Sequence, residues 1–217
     1  MKSDNFNSKN CNEFLIKDGK FIREFEKMYK VIKDPWSQEK NSDSDIHFLS
    51  ACCWLQQFIK SNTFKIESIL DIGCANGYQS EGLVDSTKAK YYTGIDVSST
   101  IIQNASVKYG SCNRIFEVND ISKYNQKYKL KFDFIFSSRT LYYVAPEIKQ
   151  VLENIDAYLK PKGIFCFIYN QKPDSFTNKW LTYKKLDKFL KKLYTRIMFA
   201  ELSDNSDECI AIGIYQK

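Results

Sequence analysis

The stretch Ile69-Leu70-Asp71-Ile72-Gly73-Cys74-Ala75-Asn76-Gly77-Tyr78 constrains this chain more than any other. The Ile-rich apolar run from Ile66 to Ile72 is that of a buried strand. Asp71 lies near its end, and the loop that follows carries small residues at alternate positions, Gly73, Ala75 and Gly77. Tyr78 to Val84 reads as the first turns of a helix. Strand, tight small-residue loop and helix form the unit by which a doubly wound α/β sheet brings backbone close to a nucleotide. A dinucleotide loop requires G-x-G-x-x-G, with a pyrophosphate on the helix N-terminus. Here the pattern is Asp-x-Gly-x-Ala-x-Gly, with no third glycine at that offset.

The rest of the chain supplies the units around this one. After a polar start, Phe21, Phe25, Met28, Tyr29 and Ile32 share one face of a predicted helix over Glu13 to Lys33, which Pro35 stops. A second helix is predicted from about Asp45 to Ser61, burying Phe48, Cys52, Leu55 and Ile59. Residues 1–62 thus read as a short helical N-terminal cap ahead of a core over 63–217. Strands are predicted at 66–72, 90–96, 114–118, 132–138 and 163–169, and helices at 77–87, 99–109, 146–160 and 182–193. A closing hairpin, 195–202 with 208–216, turns at Ser203-Asp204-Asn205-Ser206-Asp207. With 217 residues, one α/β domain and a modest extension is the natural count.

The loop resembles motif I of the class I S-adenosylmethionine methyltransferases, with Ala75 in place of the usual middle glycine. A ligand with an α-amino group and no phosphates suits the acidic Asp71 better than an anion nest. The resemblance covers about residues 64–217 and implies a Rossmann-like seven-stranded sheet of order 3-2-1-4-5-7-6 with an antiparallel last strand. It also implies S-adenosylmethionine as cofactor; the scattered cysteines and single His offer no metal site. In Tyr92-Thr93-Gly94-Ile95-Asp96-Val97, Asp96 lies about 20 positions after Gly77, where a carboxylate bonds ribose hydroxyls. The alternative reading of Asp96 is a helix cap. In the family the third strand ends on an Asp at the adenine amino group, which makes Asp120 the candidate here, with Ile121 beside the ring. Asp71, Gly73, Ala75, Gly77, Asp96, Val97, Asp120, Ile121 and Ser137 are the expected cofactor residues, joined by Trp36, whose aromatic face suits a cation.

Phe134-Ile135-Phe136-Ser137-Ser138-Arg139-Thr140-Leu141-Tyr142-Tyr143-Val144 follows the fourth strand, and Leu159 to Gly163 spell the family's Leu-Lys-Pro-x-Gly turn. Together with Met28-Tyr29 and Asp34-Pro35-Trp36, the Ser-x-x-Leu-Tyr-Tyr pattern resembles the nodulation-protein-S-like N-methyltransferases and small-molecule methyltransferases of glycan pathways. Arg139 stands where that group carries Glu. Ligands of open α/β sheets sit at the carboxyl ends of the strands, so Arg139, Tyr142 and Tyr143 fall where the methyl acceptor must lie. A guanidinium there favours an anionic acceptor such as a phosphate or carboxylate; the plain alternative is a surface Arg or an internal ion pair. A general base is needed only for a weakly acidic nucleophile, and His47, the only imidazole, and Tyr29 are the candidates, each equally readable as packing.

Bulk properties narrow the class. Lys and Arg number 32 against 26 Asp and Glu, a net charge of +6. Much of the excess sits on one face of the helix at 182–193, in Lys184, Lys185, Lys188, Lys191 and Lys192, with Leu186, Phe189, Leu190 and Leu193 opposite. A solvated face explains that pattern, and no nucleic-acid module or Asn/Asp-Pro-Pro-Tyr base-flipping motif accompanies it. The seven cysteines form no C-x-x-C pair and read as reduced thiols of a cytosolic protein. No apolar run approaches the roughly 18 residues of a membrane span, and the polar Met1-Lys2-Ser3-Asp4-Asn5 lacks a signal's apolar region. The expected activity is methyl transfer to a small polar, anionic metabolite or glycan precursor. An RNA or protein methyltransferase and a catalytically silent cofactor-binding subunit remain as alternatives.

Overall fold

The structure is a computed structural model, and it describes residues 9–36, 46–62, 64–173, 175–203 and 209–217. The expected sheet is present. Seven strands, β3 (Ser68–Ile72), β4 (Tyr91–Asp96), β5 (Arg114–Val118), β6 (Phe132–Ser138), β7 (Leu159–Gln171), β8 (Thr195–Ser203) and β9 (Cys209–Gln216), align in the order β5-β4-β3-β6-β7-β9-β8. The first five run parallel, and β9 is antiparallel to both of its neighbours. Central strands covered on both faces favour apolar side chains at most positions, which is why 163–169 reads as an unbroken run and 132–136 has only Asp133 to interrupt it.

Each face has its own core. Leu70, Ile72, Phe165 and Phe167 point toward α6 (Ile148–Tyr158) and α7 (Tyr183–Leu193). Ile69, Phe134, Phe136 and Cys166 point the other way, against α3 (Ile46–Asn62), α4 (Ser80–Thr87) and α5 (Ser99–Tyr109). In α3, Phe48, Cys52 and Leu55 are buried as predicted, along with Ala51 and Phe58, while Ile59 is half-buried. The lysines of α7 are solvent-facing and Leu186 and Leu190 are buried, but Leu193 is 50% exposed.

The predicted helix over Glu13 to Lys33 is corrected. A four-residue α1 (Lys9–Asn12) leads into a hairpin, β1 (Ile16–Lys17) with β2 (Lys20–Phe21), and only α2 (Phe25–Val31) is helical at length. Asp18 and Gly19 both take positive φ, 49° and 69°, which is the geometry of a two-residue hairpin turn. Phe21 matched a helical face in spacing, yet it packs on Trp180, with ring centroids 4.7 Å apart. Smaller shifts also have causes. The first motif helix starts at Ser80 instead of residue 77 because Gly77 has φ of 78°. Pro146 falls in a 3-10 segment, Leu141–Glu147, so α6 begins at Ile148.

Candidate active site and family membership

The alternating small residues of the motif loop have one conformational reason. Gly73, Ala75 and Gly77 all have positive φ, at 72°, 46° and 78°. A Cβ on Gly73 would lie 2.3 Å from Thr140 Oγ1, and one on Gly77 would lie 2.8 Å from Phe116. Both glycines are therefore required twice, by dihedral and by space. Ala75 carries the strain of an L-residue in that region, roughly 1 kcal/mol. The loop is pinned to the next strand by the Gly73 and Cys74 N–H groups, which donate to the Ile95 carbonyl at 2.8 and 3.0 Å.

Above this loop, at the carboxyl ends of β3 to β7, lies a cavity of about 840 Å³. Tyr29, Trp36, Gly73, Ala75, Asp96, Val97, Asp120, Ile121, Arg139, Tyr142 and Tyr143 all line it, so the structure brings eleven of the sequence-named residues to one place. Asp96 accepts the Ser98 N–H at 3.0 Å, while Ser98, the N-cap of α5, uses its hydroxyl to accept the Ile101 N–H. The helix cap belongs to Ser98, and the Asp96 carboxyl remains on the cavity wall. Burial pushes that carboxyl up to about 6, against N–H groups of Ser98, Ala75 and Val97 that favour its charged form. Burial also works against ionisation of Asp120, but the Ser122 hydroxyl and N–H and the nearby Lys123 hold it below the usual carboxylate range.

Three expected residues do not reach the cavity. Asp71 is 2% exposed and lies within the sheet, where the Tyr92 hydroxyl donates to its carboxylate at 2.6 Å. Burial raises it to about 7, with the Tyr92 bond opposing. Strand alternation turns Asp71 toward the α4 face and away from the ligand side. The same alternation buries Ser137 completely and presents Ser138 to the cavity instead. Gly77 shapes the loop from behind. His47 lies in α3, but its side chain falls outside the described residues.

Several lining residues carried no motif. Tyr78 and Gln79 follow the loop directly; the Tyr78 hydroxyl accepts from Gln79 Nε2 at 2.8 Å and from the Arg139 guanidinium at 3.1 Å. Asn170 and Lys172 stand at the end of β7, where the rule that ligands sit at strand carboxyl ends could have found them. Tyr29 receives a 3.1 Å hydrogen bond from the Trp36 indole, and burial, with Asp96 nearby, raises its hydroxyl well above the usual tyrosine value. Its phenol lines the cavity in the protonated form.

A family model described as a methyltransferase domain matches residues 64–211. The chain belongs to this methyltransferase family. The malonyl-[acyl-carrier protein] O-methyltransferase 2 of Ilyobacter polytropus is 33% identical over 104 residues, 48% of this chain and 39% of that protein. The ubiquinone biosynthesis O-methyltransferase of Histophilus somni is 27% identical over 154 residues, 67% of this chain and 62% of its own. The chain therefore spans less than two thirds of the length of these relatives. In fold it is similar to the N-methyltransferase NodS from Bradyrhizobium japonicum bound to S-adenosylhomocysteine, with a TM-score of 0.71 and 21% identity over 88% of this chain and 95% of that one. The plantazolicin methyltransferase BpumL, also bound to S-adenosylhomocysteine, gives a TM-score of 0.65 and 17% identity over 87% and 90%. Residues 64–211 are thus a methyltransferase domain, and both of these similar folds hold S-adenosylhomocysteine. Among the described residues no helix is long and apolar enough to cross a membrane.

The cavity fits the cofactor by its donor set. Carboxyl groups at the ends of β4 and β5 suit ribose hydroxyls and an exocyclic amine, and glycine at position 73 lets backbone approach closely. A titration follows. Sugar hydroxyls bond more strongly to a carboxylate than to the acid, so a ribose held by Asp96 would favour its charged form. Affinity for S-adenosylhomocysteine is then constant well above pH 6 and falls, by up to about tenfold per unit, as pH drops below it. Calorimetry in buffers of different ionisation enthalpy should also show net proton release on binding near pH 6. Invariant affinity across about pH 5 to 7 would remove this carboxyl from the contact.

Proposed function

We propose that this methyltransferase transfers the methyl group to a small polar, anionic acceptor, a metabolite or glycan precursor bearing a phosphate, phosphoramidate or carboxylate. The observation that carries the reading is the charge division of one cavity. Asp96 and Asp120 line it at the ends of β4 and β5, whereas Arg139 and Lys172 line it at the ends of β6 and β7. In this reading the acidic half takes the cofactor's ribose and adenine, and the basic half takes the acceptor. Residues 1–62 then serve as the covering segment of a cofactor-binding core over 63–217, and the protein acts in the cytosol.

S-adenosylmethionine supplies an electrophilic methyl on a sulfonium sulfur that is already a good leaving group. The chain's residues supply alignment and exclusion of water. Arg139 orients the acceptor's anion with a planar fork of donors, while Tyr142 and Tyr143 hold its body against the strand ends. An ionised oxygen needs no base, which agrees with Tyr29 being held protonated. His47 keeps its place as the candidate base for a protonated acceptor. The malonyl-[acyl-carrier protein] relatives favour a second form of the same reading, in which the acidic group is carried on a small protein.

Incubating the enzyme with methyl-labelled S-adenosylmethionine and a host extract, then separating small molecules, small acidic proteins and RNA, tests this. Label in anionic small molecules is the expected result, and label on a small acidic carrier selects the second form. Label in RNA would overturn both.

A further inference from the structure

Phe25, Tyr29, Pro35 and Trp36 of the N-terminal segment line the cavity as a strap, and the stretch 21–26 that leads into it is fastened at both ends. At one end Phe21 packs on Phe176 and Trp180, and Arg23 pairs with Glu147 at 2.6 Å, ahead of α6. At the other, the Glu26 carboxylate receives four hydrogen bonds from the first turn of α5. The donors are the Ser98 hydroxyl at 2.7 Å, the Ser99 hydroxyl at 3.2 Å, and the Thr100 hydroxyl and N–H at 2.8 and 3.2 Å. Lys30 adds an ion pair at 3.1 Å. These bonds hold the Glu26 carboxyl well below the usual carboxylate range, the Ser98 hydroxyl contributing most. Glu26 itself does not line the cavity.

Ser98 is the shared member. Its hydroxyl donates to Glu26 while its N–H donates to Asp96, so one residue separates the strap's fastening from the carboxyl on the cavity wall. From the same helix as Glu26, and just beyond it, Tyr29 and Trp36 close the cavity. Tyr29 packs with Ala75 of the motif loop and Ile101 of α5 in a small cluster separate from the two main cores. We propose that Glu26 is a positioning residue for cofactor binding: through Ser98 it keeps Tyr29 and Trp36 in register with Asp96, so that docking of the strap and filling of the acidic half are one coupled event. This rests on the reading of Asp96 as a cofactor residue.

The test is Glu26→Gln, which keeps the shape but sets an amide N–H₂ against groups that are themselves donors. S-adenosylhomocysteine affinity should fall at least about fivefold, the lower end of ordinary coupling between sites. Trypsin cleavage after Arg23, Lys27 and Lys30 should be slowed by S-adenosylhomocysteine in the wild type and much less in the variant. A role in stability alone would lower the apo melting temperature and leave affinity and ligand protection unchanged, and that result overturns the proposal. Should Glu26→Gln fold poorly, Ser99→Ala with Thr100→Val withdraws donors from the α5 side and should move affinity in the same direction. Asp96→Ala measured beside it separates the two readings. Loss there with none in Glu26→Gln overturns the coupling alone, while loss in neither overturns the assignment of the acidic half as well.

Discussion

Replacing Asp96 by Ala should weaken S-adenosylhomocysteine binding at least about tenfold while the fold survives. Hydrogen bonds to a charged group are worth roughly 1.5–3 kcal/mol each, so loss of one ribose contact already accounts for that factor. The fold should tolerate the change because Asp96 sits on the wall of an open cavity, where water can replace the carboxylate at the Ser98 N–H. Ser98 also retains its own capping bond to Ile101. Calorimetry together with a melting curve reads both quantities. Unchanged affinity would take Asp96 out of the site.

Arg139→Ala should raise the acceptor's KM at least about tenfold, with cofactor affinity changing by less than about threefold. Arg139 has φ of 54°, its N–H donates to the Ile168 carbonyl at 2.7 Å, and its guanidinium donates to Tyr78. The side chain is thereby held on the cavity wall beside Tyr78. Because an L-residue is strained at that φ, Arg139→Gly is the better control for backbone effects, and it should match the Ala variant. Arg139→Lys keeps the charge but loses the planar fork, so only part of the KM should return. Should cofactor affinity fall and the acceptor's KM hold, the guanidinium would belong to the cofactor's own carboxylate and the anionic-acceptor reading would fail.

Much of this was legible in the residues because local demands were strict. Gly73, Ala75 and Gly77 announce three positive φ values by being small at alternate positions, and few other folds ask for that spacing. The strands 114–118 and 132–138 were readable to the residue because short segments rich in Ile, Phe and Val lie between turn signals. What failed was whatever depends on direction. Sequence puts Asp71 and Ser137 at strand ends, but only the pleat decides that Asp71 faces Tyr92 and that Ser138 instead of Ser137 meets the cavity. The N-terminal error was of a different kind. Asp18-Gly19 is a strong turn signal, and it was outweighed by apolar residues whose helical spacing had another cause, the docking of Phe21 on Trp180. Lys172 and Glu26 have no motif at all; their importance comes from what lies opposite them in space.

The position of β9 carries a consequence for how this chain reaches its native state. Among the described residues β8 pairs in the sheet only with β9, and β7 has β9 as its neighbour on that side. During vectorial synthesis the β7 edge therefore stays open, and β8 has no ladder to join, until Cys209–Gln216 has emerged and slid between them. The parallel half of the sheet and its ligand end can assemble earlier, on β3 to β7. Completion of the sheet is thus late, and until it happens the apolar flank of β7 is the edge at which a nascent molecule would pair with the wrong strand.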